Sequence, residues 1–247
     1  MAKRIVLVTG GMGGLGEAIG NRLHDGGYRV VVTYSPNNCG ADDWLTARYV
    51  EGREFSAYPV DVTDFDSCQR CVDSVVRDIG PIDILVNNAG ITRDMMFRRL
   101  GKGGWDAVIR TNLDSVFNMT KQVCDGMVER RWGRVINISS VNGSKGAIGQ
   151  TNYAAAKAGM HGFTKALALE VARSGVTVNT VSPGYLATKM VREIPDDILN
   201  TKILPQIPMR RLGQPEEVAA LIAFLCSDEA GFVTGANWAI NGGQHMD

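Results

Sequence analysis

The chain has 247 residues, and its 26 basic side chains balance 26 acidic ones, leaving no formal net charge. That balance argues against a nucleic-acid or membrane-surface protein, either of which shows a basic excess or stripe. Apolar residues at 45% and charged residues at 21% describe a globular chain rather than a disordered one.

No apolar run reaches the ~18 residues of a membrane span. The opening apolar run, residues 5–8, is too short for a secretory signal core. Five scattered cysteines, an odd number, point to a reduced, cytoplasmic protein. The length suits one large core, because α/β domains often reach roughly 250 residues as a single unit.

Taken in order, short apolar runs alternate with longer amphipathic ones. Residues 4–9 read as a buried strand, and 14–25 as a helix stopped by Gly26-Gly27. A strand at 28–33, a helix at 42–50 and a strand at 54–60 follow. Asp64 suits the N-cap of a helix that ends at Gly80-Pro81, and 83–86 is a strand that stops at Asn87-Asn88-Ala89-Gly90. The second half repeats the rhythm: helix 105–131, strand 134–138, helix 152–173 and strand 177–181, ended by Pro183-Gly184. After a less regular stretch with Pro195, Pro205 and Pro208, Pro215 opens a helix to about 227, and 237–240 is a last strand. The expectation is a single α/β domain over residues 1–247. It is a Rossmann-type doubly wound parallel sheet of about seven strands with helices on both faces. Ligands of such a sheet bind beyond the carboxyl ends of the strands.

The first such end is Thr9-Gly10-Gly11-Met12-Gly13-Gly14-Leu15-Gly16, between an expected strand and an expected helix. Glycine lets a phosphate approach the backbone, and the helix N-terminus offers free N–H groups. That context favours nucleotide binding over a merely structural turn. After the second strand come Tyr34-Ser35-Pro36-Asn37-Asn38, with no acid before Asp42 and no base before Arg48. An NAD-selective fold holds the ribose 2′-hydroxyl with an acid at this place. Its absence favours NADP(H), with Ser35, Asn37 and backbone N–H groups as donors.

Tyr153 and Lys157 are four apart on an expected helix and share a face. A phenol with an ordinary pKa near ~10 needs a neighbouring ammonium, or an oxidised nicotinamide, to ionise near neutrality. Ser140 lies at the preceding strand end.

These motifs together resemble the short-chain dehydrogenase/reductases over essentially the whole chain. The matching residues are Thr9-Gly10, Gly14 and Gly16, Asn87-Asn88-Ala89-Gly90, Asn112, Ser140, Tyr153 with Lys157, and Pro183-Gly184. The resemblance implies that Tyr153 protonates the nascent alkoxide and that Ser140 holds the substrate carbonyl. It implies that Lys157 holds the nicotinamide ribose and lowers the Tyr153 pKa, and that Asn112 anchors a water behind it. Gly10, Met12, Gly13, Gly14, Leu15 and Gly16 would cradle the cofactor phosphates. Asp61 and Val62 would meet the adenine, with Asn88, Ala89 and Gly90 along the adenosine ribose. Thr188, after Pro183-Gly184, would meet the cofactor amide or phosphates. The segments 88–94, 132–143, 149–153 and 241–246 look most like the branch that reduces acetoacetyl-CoA to (R)-3-hydroxybutyryl-CoA for polyhydroxybutyrate. There Asp94, Ile148, Gln150 and Tyr185 would border the acyl and pantetheine groups. The alternative branch acts on 3-oxoacyl groups bound to acyl carrier protein. A dinucleotide-binding regulator without turnover is a remote third reading. The resemblance also implies a homotetramer that pairs the helices carrying Phe117 and Ala155.

No metal site is expected. Cys68 and Cys71 form a Cys-x-x-Cys inside a helix, without further ligands at zinc spacing. Met95-Met96-Phe97 suits either core or a substrate-facing lip. Arg130 and Arg131 suit a solvated helix end, or a contact with carrier protein or CoA phosphates.

Overall fold

The computed structural model describes residues 3–188, 191 and 195–246. Residues 189, 190 and 192–194 of the irregular stretch lie outside the described ones. Seven strands form one parallel sheet in the order β3-β2-β1-β4-β5-β6-β7. They are β1 (Ile5–Val8), β2 (Arg29–Tyr34), β3 (Ser56–Pro59), β4 (Ile84–Asn87), β5 (Gly133–Ile138), β6 (Val176–Pro183) and β7 (Asn237–Ile240).

A sheet covered on both faces needs strands that are apolar on both faces. Alternate side chains of each strand therefore enter two separate cores. Leu7, Val31, Leu85, Val135 and Val178 face one layer, made by α3 (Phe65–Asp78), α5 (Ser115–Glu129) and α7 (Thr151–Val171). Val6, Val8, Val30, Val32, Ile84 and Ile136 face the other, made by α1 (Gly14–Asp25) and α8 (Pro215–Cys226). Helix α2 (Ala41–Val50) flanks the β2–β3 edge. The helix starts follow local chemistry. Asp64 accepts from Ser67 N at 2.5 Å, and Gln214 with Glu217 closes a capping box on Pro215.

The long helix expected over 105–131 differs in detail. It begins as α4 (Lys102–Ile109), passes through one π turn (Arg110–Asp114) and continues as α5. A π turn breaks the regular ladder and is a place where helices carry functional side chains; here Asn112 sits in its middle. Two of the short elements near the cavities carry too little periodicity to be read from sequence. They are a 3₁₀ turn at Phe97–Arg99 and α6 (Val141–Lys145).

Strand β1 lies between β2 and β4, so the chain winds in opposite directions on its two sides. The crevice at that switch point lies between the Gly-rich turn after β1 and the Asn88-Ala89-Gly90 turn after β4. No helix among the described residues is long and apolar enough to cross a membrane.

Candidate active site

Two cavities open along the carboxyl ends of the strands. One, of about 860 Å³, runs over the Gly-rich turn and is lined by Gly10, Gly13, Gly14, Leu15 and Gly16. Ser35, Asp61, Val62, Asn88, Ala89, Gly90 and Thr188 complete the expected set on its wall. The second, of about 350 Å³, is lined by Asn112, Ser140, Gln150, Tyr153, Lys157, Pro183, Gly184 and Tyr185. Leu15, Asn88, Gly90, Ile91 and Thr188 belong to both walls, so the two cavities meet there. Met12 lines neither; its sulfur lies 3.7 Å from Asn38 Nδ2.

The turn after β1 requires its glycine. Gly10 has φ of +61°, and a Cβ there would stand 3.2 Å from Ala89 Cα. Asn88 clamps the same turn, its Nδ2 donating to Thr9 O at 2.9 Å and Gly10 O at 3.1 Å. Thr9 Oγ1 in return accepts from Asn88 N and Ala89 N. Helix α1 begins at Gly14 with no side-chain cap, which leaves its first N–H groups facing the groove. These features fit a dinucleotide pyrophosphate.

The candidate side chains Ser140, Tyr153 and Lys157 stand on a buried polar scaffold. Asn87 Nδ2 donates to Thr120 and Asn137, Asn137 donates to Thr164, and Thr164 pairs with Thr180 at 2.8 Å. This chain joins β4, α5, β5, α7 and β6. Ser139 Oγ donates to Lys157 O at 2.9 Å, and Asn152 Nδ2 holds Arg93 O and Gly104 O. Each such bond is worth ~1 kcal/mol net, whereas leaving one buried group unpaired costs ~1–3 kcal/mol. The scaffold therefore defines the position of α7 more than it adds to stability.

Lys157 is 3% exposed and its Nζ donates to Ile138 O at 2.7 Å. Burial lowers its pKa to about 7. The ammonium nitrogen lies 5.5 Å from the centre of the Tyr153 ring. Burial raises the Tyr153 phenol above its ordinary value, and a hydrogen bond with Ser140 pulls the other way without prevailing. The direction is opposite to the lowering expected from Lys157: desolvation, together with the nearby charge of Asp94, prevails.

Asn112 is fully buried, with Nδ2 donating to Ile91 O and Val108 O, both at 2.9 Å. Its Oδ1 is buried without a hydrogen-bond partner, which is a place for a water beside Lys157. A Cβ on Gly90 would come within 2.5 Å of that oxygen and 3.6 Å of Lys157 Nζ.

Around the second cavity, Asp94 accepts from Gln150 Nε2, and Gln150 Oε1 accepts from Asn142 Nδ2, both at 2.8 Å. A carboxylate only accepts, so Asp94 fixes the orientation of both amides. Asn142 then presents its Oδ1, which is buried without a partner. Asn142 was not singled out from the sequence; its one signal is its place two residues after Ser140, whose Oγ accepts from Asn142 N at 3.2 Å. Asp94 reaches the cavity through Gln150. Ile148 does not line it and is 91% exposed, because the turn between Gly146 and Gly149 carries it outward.

The remaining signals resolve as follows. Cys68 and Cys71 are core residues whose thiols burial pushes up to about 12 and about 11. No metal-binding cluster occurs among the described residues. Met95, Met96 and Phe97 are exposed and not core, and Met95 N donates to Gly149 O beside the cavity. Arg130 donates to Ile82 O at 2.6 Å, before the start of β4 and so at the end of the strands away from the cavities. On α5, Val116, Met119, Val123 and Met127 are core, whereas Phe117 is exposed and stacks on Phe65. A Cβ on Gly159 would meet Leu113 of the same chain at 2.9 Å.

Comparison with known proteins agrees with this geometry. Residues 10–245 match the family described as enoyl-(acyl carrier protein) reductase. The chain belongs to the short-chain dehydrogenase/reductase family. Among the curated members of this family, it is 56% identical to the acetoacetyl-CoA reductase of Cupriavidus necator over the full length of both. It is 54% identical to the acetoacetyl-CoA reductase of Allochromatium vinosum, over 98% of this chain and 99% of that one. It is 43% identical to the 3-oxoacyl-(acyl-carrier-protein) reductase of Vibrio cholerae, over 98% of each. The protein is an oxidoreductase of this family.

Proposed function

We propose that this reductase converts acetoacetyl-CoA to (R)-3-hydroxybutyryl-CoA, the monomer for polyhydroxybutyrate, with NADPH as cofactor. The observation that carries the reading is the meeting of the two cavities beside Ser140, Tyr153 and Lys157, in a chain more than half identical to acetoacetyl-CoA reductases. The Gly-rich turn and the start of α1 would hold the pyrophosphate, and Asp61 with Val62 would border the adenine. Asn88, Ala89 and Gly90 would lie along the adenosine ribose. Lys157 would hold the nicotinamide ribose, with Pro183, Gly184 and Thr188 near the ring. When bound, the cofactor supplies the hydride.

The chain's own groups supply the rest. Ser140 donates to the 3-keto oxygen and polarises it. Tyr153 delivers its phenolic proton to that oxygen as negative charge develops there. A phenol whose pKa is raised by burial stays protonated at neutral pH, which is the form that reduction needs. The oxygen left on Tyr153 is reprotonated through Lys157 and a water on Asn112 Oδ1. Gln150 and Tyr185, with Asp94 behind Gln150, would orient the acyl thioester. Exposed Phe117 on α5, with Ala155 and Ala158 on α7, supports assembly as a cytoplasmic homotetramer through these two helices.

The test is the initial rate of NADPH oxidation with acetoacetyl-CoA beside acetoacetyl carrier protein at matched concentration. A clearly higher kcat/KM on the CoA thioester is expected. A clear preference for the carrier-bound substrate would move the protein to fatty-acid elongation.

A further inference from the structure

A ribose 2′-phosphate carries roughly −1.5 to −2 charge near neutral pH. A groove that selects for it offers a cation, and a groove that refuses it places an acid on the 2′-hydroxyl. This groove does neither. At the end of β2 its wall is Thr33, Tyr34 and Ser35, and among the described residues no Lys, Arg or His lines it. Asn37 and Asn38 follow, neutral and exposed.

The next base along the chain is already committed. Arg48 on α2 has a side chain only 12% exposed and is paired with Glu17 of α1 and with Glu51 at 2.6 Å. Trp44 Nε1 also donates to Glu17 at 2.8 Å, and the Arg48 guanidinium lies 5.5 Å from the Trp44 ring. Arg48 therefore joins α2 to α1, with both terminal nitrogens of its guanidinium paired to carboxylates. Exposed Asp42 and Asp43 in the first turn of α2 add negative charge to the segment that follows β2. Asp61 lines the groove, but its Oδ1 is taken by Thr63 N at 2.9 Å and Thr63 Oγ1 at 2.7 Å.

We infer that the groove scarcely distinguishes NADPH from NADH, so that NADH also serves this enzyme as hydride donor. The inference rests on the reading of the groove as a nicotinamide-dinucleotide site. An arginine on the 2′-phosphate would be worth roughly 10- to 100-fold in affinity. Ser35, Asn37, Asn38 and backbone N–H groups offer neutral hydrogen bonds instead, against the repulsion of Asp42 and Asp43.

The experiment is titration of the protein with NADPH and with NADH, read by the fluorescence of the reduced nucleotide, with no thioester present. The two Kd values are expected within about tenfold of each other. Salt should not weaken NADPH relative to NADH, because no attractive ion pair is there to be screened; screening of Asp42 and Asp43 should move the ratio only slightly toward NADPH. A preference of roughly 100-fold or more for either nucleotide would overturn the inference. So would a preference for NADPH that collapses with salt. Asn38→Arg sharpens the test, since Asn38 already reaches Met12 of the Gly-rich turn. It should tighten NADPH by about tenfold, change NADH less, and introduce salt dependence. No gain for NADPH would show that the 2′-phosphate lies elsewhere. Similar binding of both nucleotides without turnover of any 3-oxoacyl thioester would leave this inference standing and remove the proposed activity.

Discussion

Around the cavity of Tyr153 and Lys157 the polar side chains are buried and bonded to one another, whereas past the end of β2 they stand in the open. Lys157, Asn112, Asn152 and Ser139 are all under 5% exposed, and Asn87, Asn137, Thr164 and Thr180 form a continuous chain beneath them. Ser35, Asn37, Asn38, Asp42 and Asp43 face solvent. The difference has an energetic consequence. In the dry half, desolvation is large enough to move a lysine to about 7 and a phenol upward. In the wet half, water screens each contact, and selectivity depends on whether a full charge is aimed at the ligand.

The strongest way to break this comparison is to remove the proposed proton donor from the dry half. Tyr153→Phe should lower kcat by about 10²- to 10⁴-fold and leave the NADPH dissociation constant within about twofold. Turnover near that of the parent protein would remove Tyr153 as the acid.

A second test reads the desolvation itself. Lys157 has an ordinary pKa of 10.5 and a folded value of about 7. Between those values the unfolded chain binds more protons on this group than the folded chain does, so stability rises with pH. The slope is at most ~1.4 kcal/mol per pH unit. Below about 7 the buried amine is charged in both states, and its desolvation penalty is present in full. Lys157→Met abolishes the titration. Without cofactor, the Tm of the parent protein should therefore gain on that of the variant as pH rises from 7 toward 10. A constant difference across that range would mean that Lys157 keeps its charge in the folded chain.

The smallest effect concerns the amide chain at the substrate cavity. Asn142→Leu removes the donor that holds Gln150 and should raise KM for the thioester about tenfold, with a smaller change in kcat and none in NADPH affinity. An equal loss in kcat alone would indicate general damage to α6 and Ser140. Asn142→Ser, which retains a donor, should recover part of the KM.

Much of this was legible in the amino-acid order because it is written in local chemistry. The strand runs are apolar on both faces, so a covered parallel sheet follows from Ile5–Val8 and Arg29–Tyr34 without knowledge of neighbours. The bounds of α1 and of β7 were readable from the glycines around α1 and from the turn residues before Asn237. Tyr153 and Lys157 share a face by helical period alone. Asn142 was not legible, since its role depends on Gln150 and Asp94, which lie 8 and 56 residues from one another in turn. The outward turn of Ile148 was not legible either. It depends on two left-handed glycines that flank a segment without periodicity.

By itself the sequence determined the fold class, the glycine-rich turn after β1 and the shared helix face of Tyr153 and Lys157, because helix period, strand alternation and glycine conformation act over a few residues. The tertiary structure decided the protonation tendencies of Tyr153 and Lys157 and the orphaned oxygen of Asn112. It also decided the commitment of Arg48 to Glu17. Burial and ion pairing are properties of neighbours brought together by the sheet, and no local pattern records which of two charged side chains will find the other.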